Sequence, residues 1–420
     1  MSFLFASSKS NTNKNDGITN TDKAFLWFVG IGFVGYSIWK YFNNNKIIDY
    51  HYNEYRVINF SAGPSQLPVK VLTKVQKELL NYNNSGQSVM EMSHRSQEFT
   101  EIYNNAEKNL RELLNIPDNY SVFFVQGGAT SVSSMIPLNF NIRNTGKSAD
   151  FVITGVWSAK AAKEAQKYGN VNILCDTTKD DIPCTNIPDY NEWKVNDDSA
   201  YLHICINETV HGVQFHDLSF LDDIKIPIVA DYSSCFMSEP INVNKFDIIY
   251  AGAQKNVGPA GVTILIIKNK YIGNADPLTP ILYNFETYKK KSIPNTPPTW
   301  SIYVMSEYFK YIKDDMQGLK NMRNINTSKA ALIYNEIDSD NFYNSPVNKN
   351  VRSIMNVRFN LNSTNLEKTF IDDAKLNGFI NIKGYRTLGG IRVSIYNAQT
   401  LNSVKKFVNF MKQFRKKHQK

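Results

Sequence analysis

The sequence predicts an α/β fold: a large domain built on a mostly parallel seven-stranded sheet, with a smaller α+β domain at its C-terminal end. Two observations carry this. Between Ser121 and Lys268 seven short apolar runs recur, at 121–126 (SVFFVQ), 150–155 (DFVITG), 171–175 (VNILC), 200–207 (AYLHICIN), 226–231 (IPIVAD), 246–252 (FDIIYAG) and 261–268 (GVTILIIK), separated mostly by helix-like or turn-rich stretches. Strands apolar on both faces belong to sheets covered by helices on both sides. Later the pattern changes to strands over 356–361 (NVRFNL), 379–384 (FINIKG) and 391–397 (IRVSIYN), with helices over about 365–377 and from about Thr400. A chain of 420 residues also exceeds what one core supports, since single cores stop growing near roughly 250–300 residues.

Taken in chain order, residues 7–22 are rich in Ser, Asn, Thr and Lys, a composition that cannot bury enough apolar surface to offset the entropy of ordering. From Ala24 to Trp39 no residue is charged, and Lys23 and Lys40 bracket the run. A helix continued to Phe42 would span about 28 Å, close to a hydrocarbon core of about 30 Å. We read residues 1–50 as a tail carrying an uncleaved membrane anchor over 24–42; the alternative is an apolar helix docked on the body or on a partner. Ser96 then suits an N-cap, because Phe99, Ile102, Tyr103, Ala106, Leu110, Leu113 and Leu114 follow with helical spacing. After Trp157 the stretch SAKAAKEAQKYG reads as a helix closed by Gly169.

Charge and cysteine content exclude some classes. The net charge is +9, but residues 401–420 carry seven Lys or Arg and no acid, leaving +2 for the rest. A basic run in the last turns of a terminal helix complements the helix dipole, so we expect no nucleic-acid role. The four cysteines lie far apart with no CxxC pair, which argues against a structural zinc site and a disulfide scaffold and for a reducing compartment. No metal is expected.

Ligands of open α/β sheets collect beyond the carboxyl ends of the strands, and the residues there are informative. The first run leads to Gly127-Gly128-Ala129-Thr130, small residues that let backbone amides approach an anion. The second leads to Trp157, a ring that could stack on a flat cofactor. The fifth ends at Asp231, a carboxylate that should meet a cation. The sixth ends at Gln254-Lys255, with small residues around an amine suited to Schiff-base formation. Singly each has a bland reading: a steric turn, a packed Trp, a solvated Lys. Together they form the set that pyridoxal phosphate needs, namely an anion cradle, a ring support, an acid for the ring nitrogen and a lysine for the aldehyde.

From about Ile58 onward the chain resembles the phosphoserine aminotransferase family, fold-type I pyridoxal-phosphate enzymes of class V. The resemblance lies in 59–68 (NFSAGPSQLP), 88–99 (SVMEMSHRSQEF), 206–212 (INETVHG), 250–261 (YAGAQKNVGPAG), 295–303 (NTPPTWSIY) and 383–398 (KGYRTLGGIRVSIYNA). It implies a large cofactor-binding domain over 70–320 and a small domain from 56–69 and 321–420. It implies that Lys255 carries the cofactor and moves the substrate proton, that Asp231 meets the pyridinium nitrogen, that Trp157 stacks on the ring and that Thr209 bonds its phenolic side. Ala129, Thr130 and Gln254 would hold the phosphate, with Asn295 and Thr296 supplied by the neighbouring subunit of a homodimer. Arg392 would grip the α-carboxylate, and His94, Arg95 and Arg386 the distal anion. The implied reaction is reversible amino transfer between L-glutamate and 3-phosphohydroxypyruvate, giving 2-oxoglutarate and O-phospho-L-serine in serine biosynthesis. The related phosphohydroxythreonine of pyridoxine synthesis stays open as a substrate.

Two features depart from the family. Tyr385 stands where its members usually carry His, which removes a positive charge beside Arg386. The anchor-like segment is the other, and with it the expectation becomes a cytoplasmic catalytic body tethered to a membrane. A fold-type I enzyme of other specificity and an inactive membrane-tethered scaffold are the competing readings.

Overall fold

All seven apolar runs of the central stretch enter one sheet. The structure, a computed structural model, describes residues 56–419 except 182 and 290–292. The tail and apolar segment expected over 1–50 lie outside the described residues. Among the described residues no helix is long and apolar enough to cross a membrane.

The sheet strands are β1 (Tyr120–Val125), β2 (Ala149–Ile153), β3 (Val171–Asp176), β4 (Tyr201–Cys205), β5 (Ile228–Asp231), β6 (Ile248–Gly252) and β7 (Thr263–Lys268), in the spatial order β1-β7-β6-β5-β4-β2-β3. β7 runs antiparallel to both of its neighbours, while the pairs β6–β5, β5–β4, β4–β2 and β2–β3 are parallel. Continuous burial along β2, β4, β5 and β6 follows from helices on both faces and explains why these runs show no polar alternation. Because six strands point the same way, their carboxyl ends share one edge, and the residues just past those ends are neighbours.

Helix α1 (Gln97–Leu114) starts as expected, with the Ser96 hydroxyl accepting the N–H of Phe99. Helix α2 is Gly128–Asn139 and follows β1 directly. The helix read as following Trp157 is α3 (Val156–Ala165), so Trp157 sits inside its first turn; the chain leaves the helix by Gln166, before Gly169.

Residues Val57–Lys420 form one compact unit, within which the apolar core is divided. Two clusters cover the faces of the large sheet, and a third gathers Phe60, Ile333, Phe359, Phe370, Val393, Phe407 and Phe414. That third cluster packs a small sheet, whose strands β8 (Asn356–Leu361) and β9 (Ile391–Ser394) pair antiparallel, against α5 (Leu319–Ile337), α6 (Thr364–Leu376) and α7 (Leu401–His418), the helix α4 (Thr299–Lys310) belonging to the large core. The strand expected over 379–384 shrinks to Phe379–Ile380, paired in parallel with Ile58–Asn59. Asn381 then turns away at a φ of +62°, and the rest of the run bonds to the start of β9 instead: the Arg392 N–H donates to the Ile382 carbonyl and the Gly384 N–H to the Gly390 carbonyl, each at 2.8 Å.

Candidate active site

The strand ends converge on Lys255. A single helical turn, Ala253–Asn256, follows β6 and carries Gln254 and Lys255. Lys255 Nζ donates to Thr209 Oγ1 at 2.8 Å and lies 5.0 Å from the centre of the Trp157 ring. Thr209, in the loop after β4, is buried. The lysine main chain is fixed as well: the Ser65 N–H donates to the Gln254 carbonyl at 3.0 Å and the Ser65 hydroxyl to the Lys255 carbonyl. A Cβ on Gly63, whose φ of +133° favours glycine, would stand 3.1 Å from Lys255 Cγ, a contact that would press on the lysine side chain.

Trp157 is held by a residue to which the sequence gives no role. The carboxylate of Glu208, wholly buried, accepts the Trp157 N–H at 3.1 Å, the Ser158 N–H at 2.8 Å and the Ser158 hydroxyl at 2.6 Å. It satisfies free donors at the start of α3 and complements the helix dipole. Burial nonetheless pushes its pKa up, against those same hydrogen bonds. Glu208 belongs to the run INETVHG, but its partners lie some fifty residues earlier and no local spacing reveals them.

Asp231 ends β5 between β4 and β6, and its carboxylate accepts the Ser233 N–H at 2.8 Å. Among the described residues no ion pair includes Asp231. Beyond β1, Gly127 (φ +95°) caps α2, and a Cβ there would strike Ser131 Oγ at 2.0 Å. Ala129 and Thr130 lie in the first turn of α2, where backbone N–H groups have no intrahelical acceptor. Asn295 Nδ2 donates to Gln126 Oε1 at 3.0 Å and Gln126 Nε2 to the Thr296 carbonyl at 3.1 Å, so residues 295–296 rest against the entrance to the glycine turn.

The small sheet supplies the opposite side. Asn207, two residues before Thr209, donates to Asn356 Oδ1 on β8 at 2.8 Å, and Asn356 Nδ2 donates to Ser394 Oγ on β9 at 2.9 Å. This ties the strand of Arg392 to the loop of Thr209. Tyr396 continues the tie, with its hydroxyl donating to the Ala62 carbonyl at 2.9 Å. Arg392 is half-buried, and its Nε finds no acceptor among the described residues. The remaining cluster is not assembled within one chain. His94 and Arg95 line a cavity of about 550 Å³ with Tyr103, Arg111 and Tyr288, and Arg386 sits on an exposed turn. No side-chain hydrogen bond or ion pair among the described residues joins these three to Lys255.

The chain matches the family described as Aminotransferase class-V over residues 57–407. It is 46% identical over 368 residues to phosphoserine aminotransferase 2, chloroplastic, of Arabidopsis thaliana, spanning 87% of this chain and 86% of that protein. It is 47% identical over 360 residues to the phosphoserine aminotransferase of Bacillus thuringiensis subsp. konkukian, spanning 86% of this chain and 98% of the relative. Among solved structures, the phosphoserine aminotransferase of Bacillus circulans subsp. alkalophilus superposes with a TM-score of 0.82 at 39% identity, over 86% of this chain and 99% of the other. The PLP-bound phosphoserine aminotransferase of Trichomonas vaginalis gives a TM-score of 0.80 at 34% identity, over 85% and 100%. By the family match over residues 57–407 and the identity to these relatives, the chain belongs to the class-V aminotransferase family, in its phosphoserine aminotransferase branch.

Proposed function

We propose that this chain is a phosphoserine aminotransferase, which uses pyridoxal 5'-phosphate to transfer an amino group reversibly between L-glutamate and 3-phosphohydroxypyruvate, giving 2-oxoglutarate and O-phospho-L-serine in serine biosynthesis. The observation that carries the reading is the Lys255 amine, 2.8 Å from Thr209 Oγ1 and 5.0 Å from the Trp157 ring centre, at the carboxyl edge of a class-V fold.

The residues present fit the cofactor. Trp157 Nε1 is buried and has no partner among the described residues. The glycine turn before α2 leaves first-turn amides for a phosphate, and Asp231 offers a buried carboxylate without a protein cation. We assign Ala129, Thr130 and Gln254 to the phosphate, Trp157 to the ring face, Thr209 to the phenolic side, Asp231 to the ring nitrogen and Lys255 to the aldehyde. When bound, the cofactor supplies an aldehyde for imine linkage and a ring that spreads negative charge from the substrate Cα. Lys255 takes and returns the proton at that carbon, and the hydrogen bond to Thr209 aims its amine. Asp231 holds a negative charge beside the ring nitrogen. Arg392 orients the substrate by its α-carboxylate, for which a planar fork of donors is suited.

Three finer parts complete the reading. Asn295 and Thr296 reaching a neighbouring subunit's phosphate, with a homodimer and with His94, Arg95 and Arg386 on the distal anion, is supported by the resemblance and by the separation of His94 and Arg95 from the Lys255 bonding network. The division into 70–320 against 56–69 with 321–420 is supported by the separate apolar cluster around Phe60 and Phe407. A membrane tether through 24–42, with a cytoplasmic catalytic body, is supported by the uncharged run and its flanking lysines; removal of residues 1–50 would then release active protein from membranes.

The deciding experiment is a coupled assay of O-phosphoserine with 2-oxoglutarate, set against other amino donors. The purified protein should be yellow, borohydride should fix the cofactor to Lys255, and Lys255→Ala should lose adduct and turnover together. A colourless preparation without phosphoserine turnover would overturn the reading.

A further inference from the structure

Two arginines face one another across the small sheet. Arg358 on β8 stands directly opposite Arg392 on β9 in the antiparallel register, and opposed residues of such a pair project from the same face. That face looks toward the Thr209 loop, because Asn356, two residues before Arg358 on the same strand, accepts the hydrogen bond from Asn207. The Gly212 turn lies against the same strand: a Cβ there would be 2.6 Å from the Asn356 carbonyl oxygen and 3.5 Å from Arg358 Cβ.

Both guanidinium groups are poorly satisfied. Arg358 Nε and Nη1 and Arg392 Nε are shielded from solvent and have no acceptor among the described residues. His211, the residue before Gly212, is buried with its Nδ1 likewise unpartnered. Burial and the Arg358 charge push His211 down to about 4, so it is neutral near pH 7 and offers the arginines no counter-charge. Shielded N–H groups without acceptors are costly, and an anion that accepts from both arginines removes that penalty.

We propose that Arg358 is a second substrate-binding arginine, sharing with Arg392 the carboxylate common to every amino-acid and 2-oxo-acid substrate of the enzyme. The inference rests on the proposed function and deepens it. Guanidinium forks from two strands can each donate to one carboxylate, fixing its plane more tightly than a single arginine does.

The test uses the purified holoenzyme with Arg358→Gln and Arg358→Lys. For Arg358→Gln we expect KM for O-phosphoserine and for glutamate to rise together, by roughly 10- to 100-fold, the range for loss of one charge-assisted hydrogen bond, with kcat within a few-fold of the parent. Calorimetric titration with the unreactive dicarboxylate glutarate should weaken in parallel, and Arg358→Lys should recover part of both losses. Removal of a guanidinium with unsatisfied N–H groups should leave the ligand-free Tm of Arg358→Gln unchanged or raised. Unchanged KM values with a lowered Tm would make Arg358 purely structural and overturn the proposal. A rise in KM for only one of the two donors would also overturn it, because the anion bound would then be the distal group. Absence of phosphoserine turnover in the parent protein sinks the proposed function instead, and is read before any variant.

Discussion

The Glu208 carboxylate accepts the backbone N–H of Trp157 at 3.1 Å, so the residue that precedes Thr209 in sequence also fixes the first turn of the helix carrying the aromatic ring. One buried side chain thereby couples two of the strand-end loops that meet at Lys255.

Glu208→Ala removes the acceptor of the buried Ser158 N–H and the half-buried Trp157 N–H, while the Ser158 hydroxyl keeps the Gly155 carbonyl; at roughly 1–3 kcal/mol for a group left unsatisfied, a loss of about 2 kcal/mol or more is expected in denaturant unfolding. Glu208→Gln keeps one acceptor oxygen and should lose less. Burial raises the Glu208 pKa above its ordinary 4.5, so the native state holds this proton more tightly than the unfolded chain. The associated stability is full below 4.5 and is lost as pH rises through the folded value. The margin of the parent over Glu208→Gln should therefore shrink as pH is raised from 4, and a margin independent of pH would refute this.

Gly63→Ala tests the clasp on the lysine. The new methyl would meet Lys255 Cγ at 3.1 Å from a backbone at φ +133°, a conformation that costs a side-chain-bearing residue roughly 1–3 kcal/mol. We expect Tm to fall, kcat to fall about tenfold or more as the amine is displaced, and KM to change little. Wild-type kcat in a folded variant would show that Lys255 tolerates the displacement.

Much of this architecture is legible in the sequence because two-sided burial leaves an unmistakable mark. Runs such as IPIVAD and GVTILIIK are apolar throughout, and every one of the seven became a strand of the large sheet. Lys255 and Trp157 are legible too, since each follows a strand end, whereas Thr209 is reached only through the family resemblance. The run over 391–397 is longer than the strand: β9 stops at Ser394, and the Ile395 N–H makes one more bond in the same register, to the Met355 carbonyl. Glu208 and Arg358 are opaque for another reason. Their roles depend on partners 50 and 34 positions away, brought close only by the fold, and nothing in the neighbouring residues distinguishes them from ordinary surface charges.

Lys329 on α5 is a buried amine with a structural task. Its Nζ donates to the carbonyls of Ile395, Tyr396 and Gln399 at 2.9, 2.8 and 3.0 Å, holding the turn that follows β9. Burial pushes its pKa down to about 7, from an ordinary 10.5. Between those values the native state binds fewer protons than the unfolded chain, so this contribution to stability is full above 10.5 and is lost as pH falls toward 7. Lys329→Met leaves the three carbonyls without donors and should cost roughly 2–4 kcal/mol. The gap between parent and variant should widen from pH 7 to pH 10 in chemical denaturation; a constant gap would mean that Lys329 does not change protonation on unfolding.

Tyr385 offers a gain rather than a loss. It is half-buried one residue before the exposed Arg386, on the turn leading into β9, and it lies close enough to Arg392 for their charges to interact. A phenol in that place donates a hydrogen bond but carries no positive charge near neutral pH, whereas an imidazole with an ordinary pKa near 6.5 would be mostly charged at pH 6 and mostly neutral at pH 8. Tyr385→His should therefore lower KM for O-phosphoserine by about 3- to 10-fold at pH 6 and leave it close to the parent value at pH 8, because only the protonated ring adds a cation for the distal phosphate. Glutamate, with a single distal charge, should respond less. A variant whose KM shows the same pH profile as the parent would place the distal anion beyond reach of residue 385, and would withdraw Arg386 from that anion's grip as well.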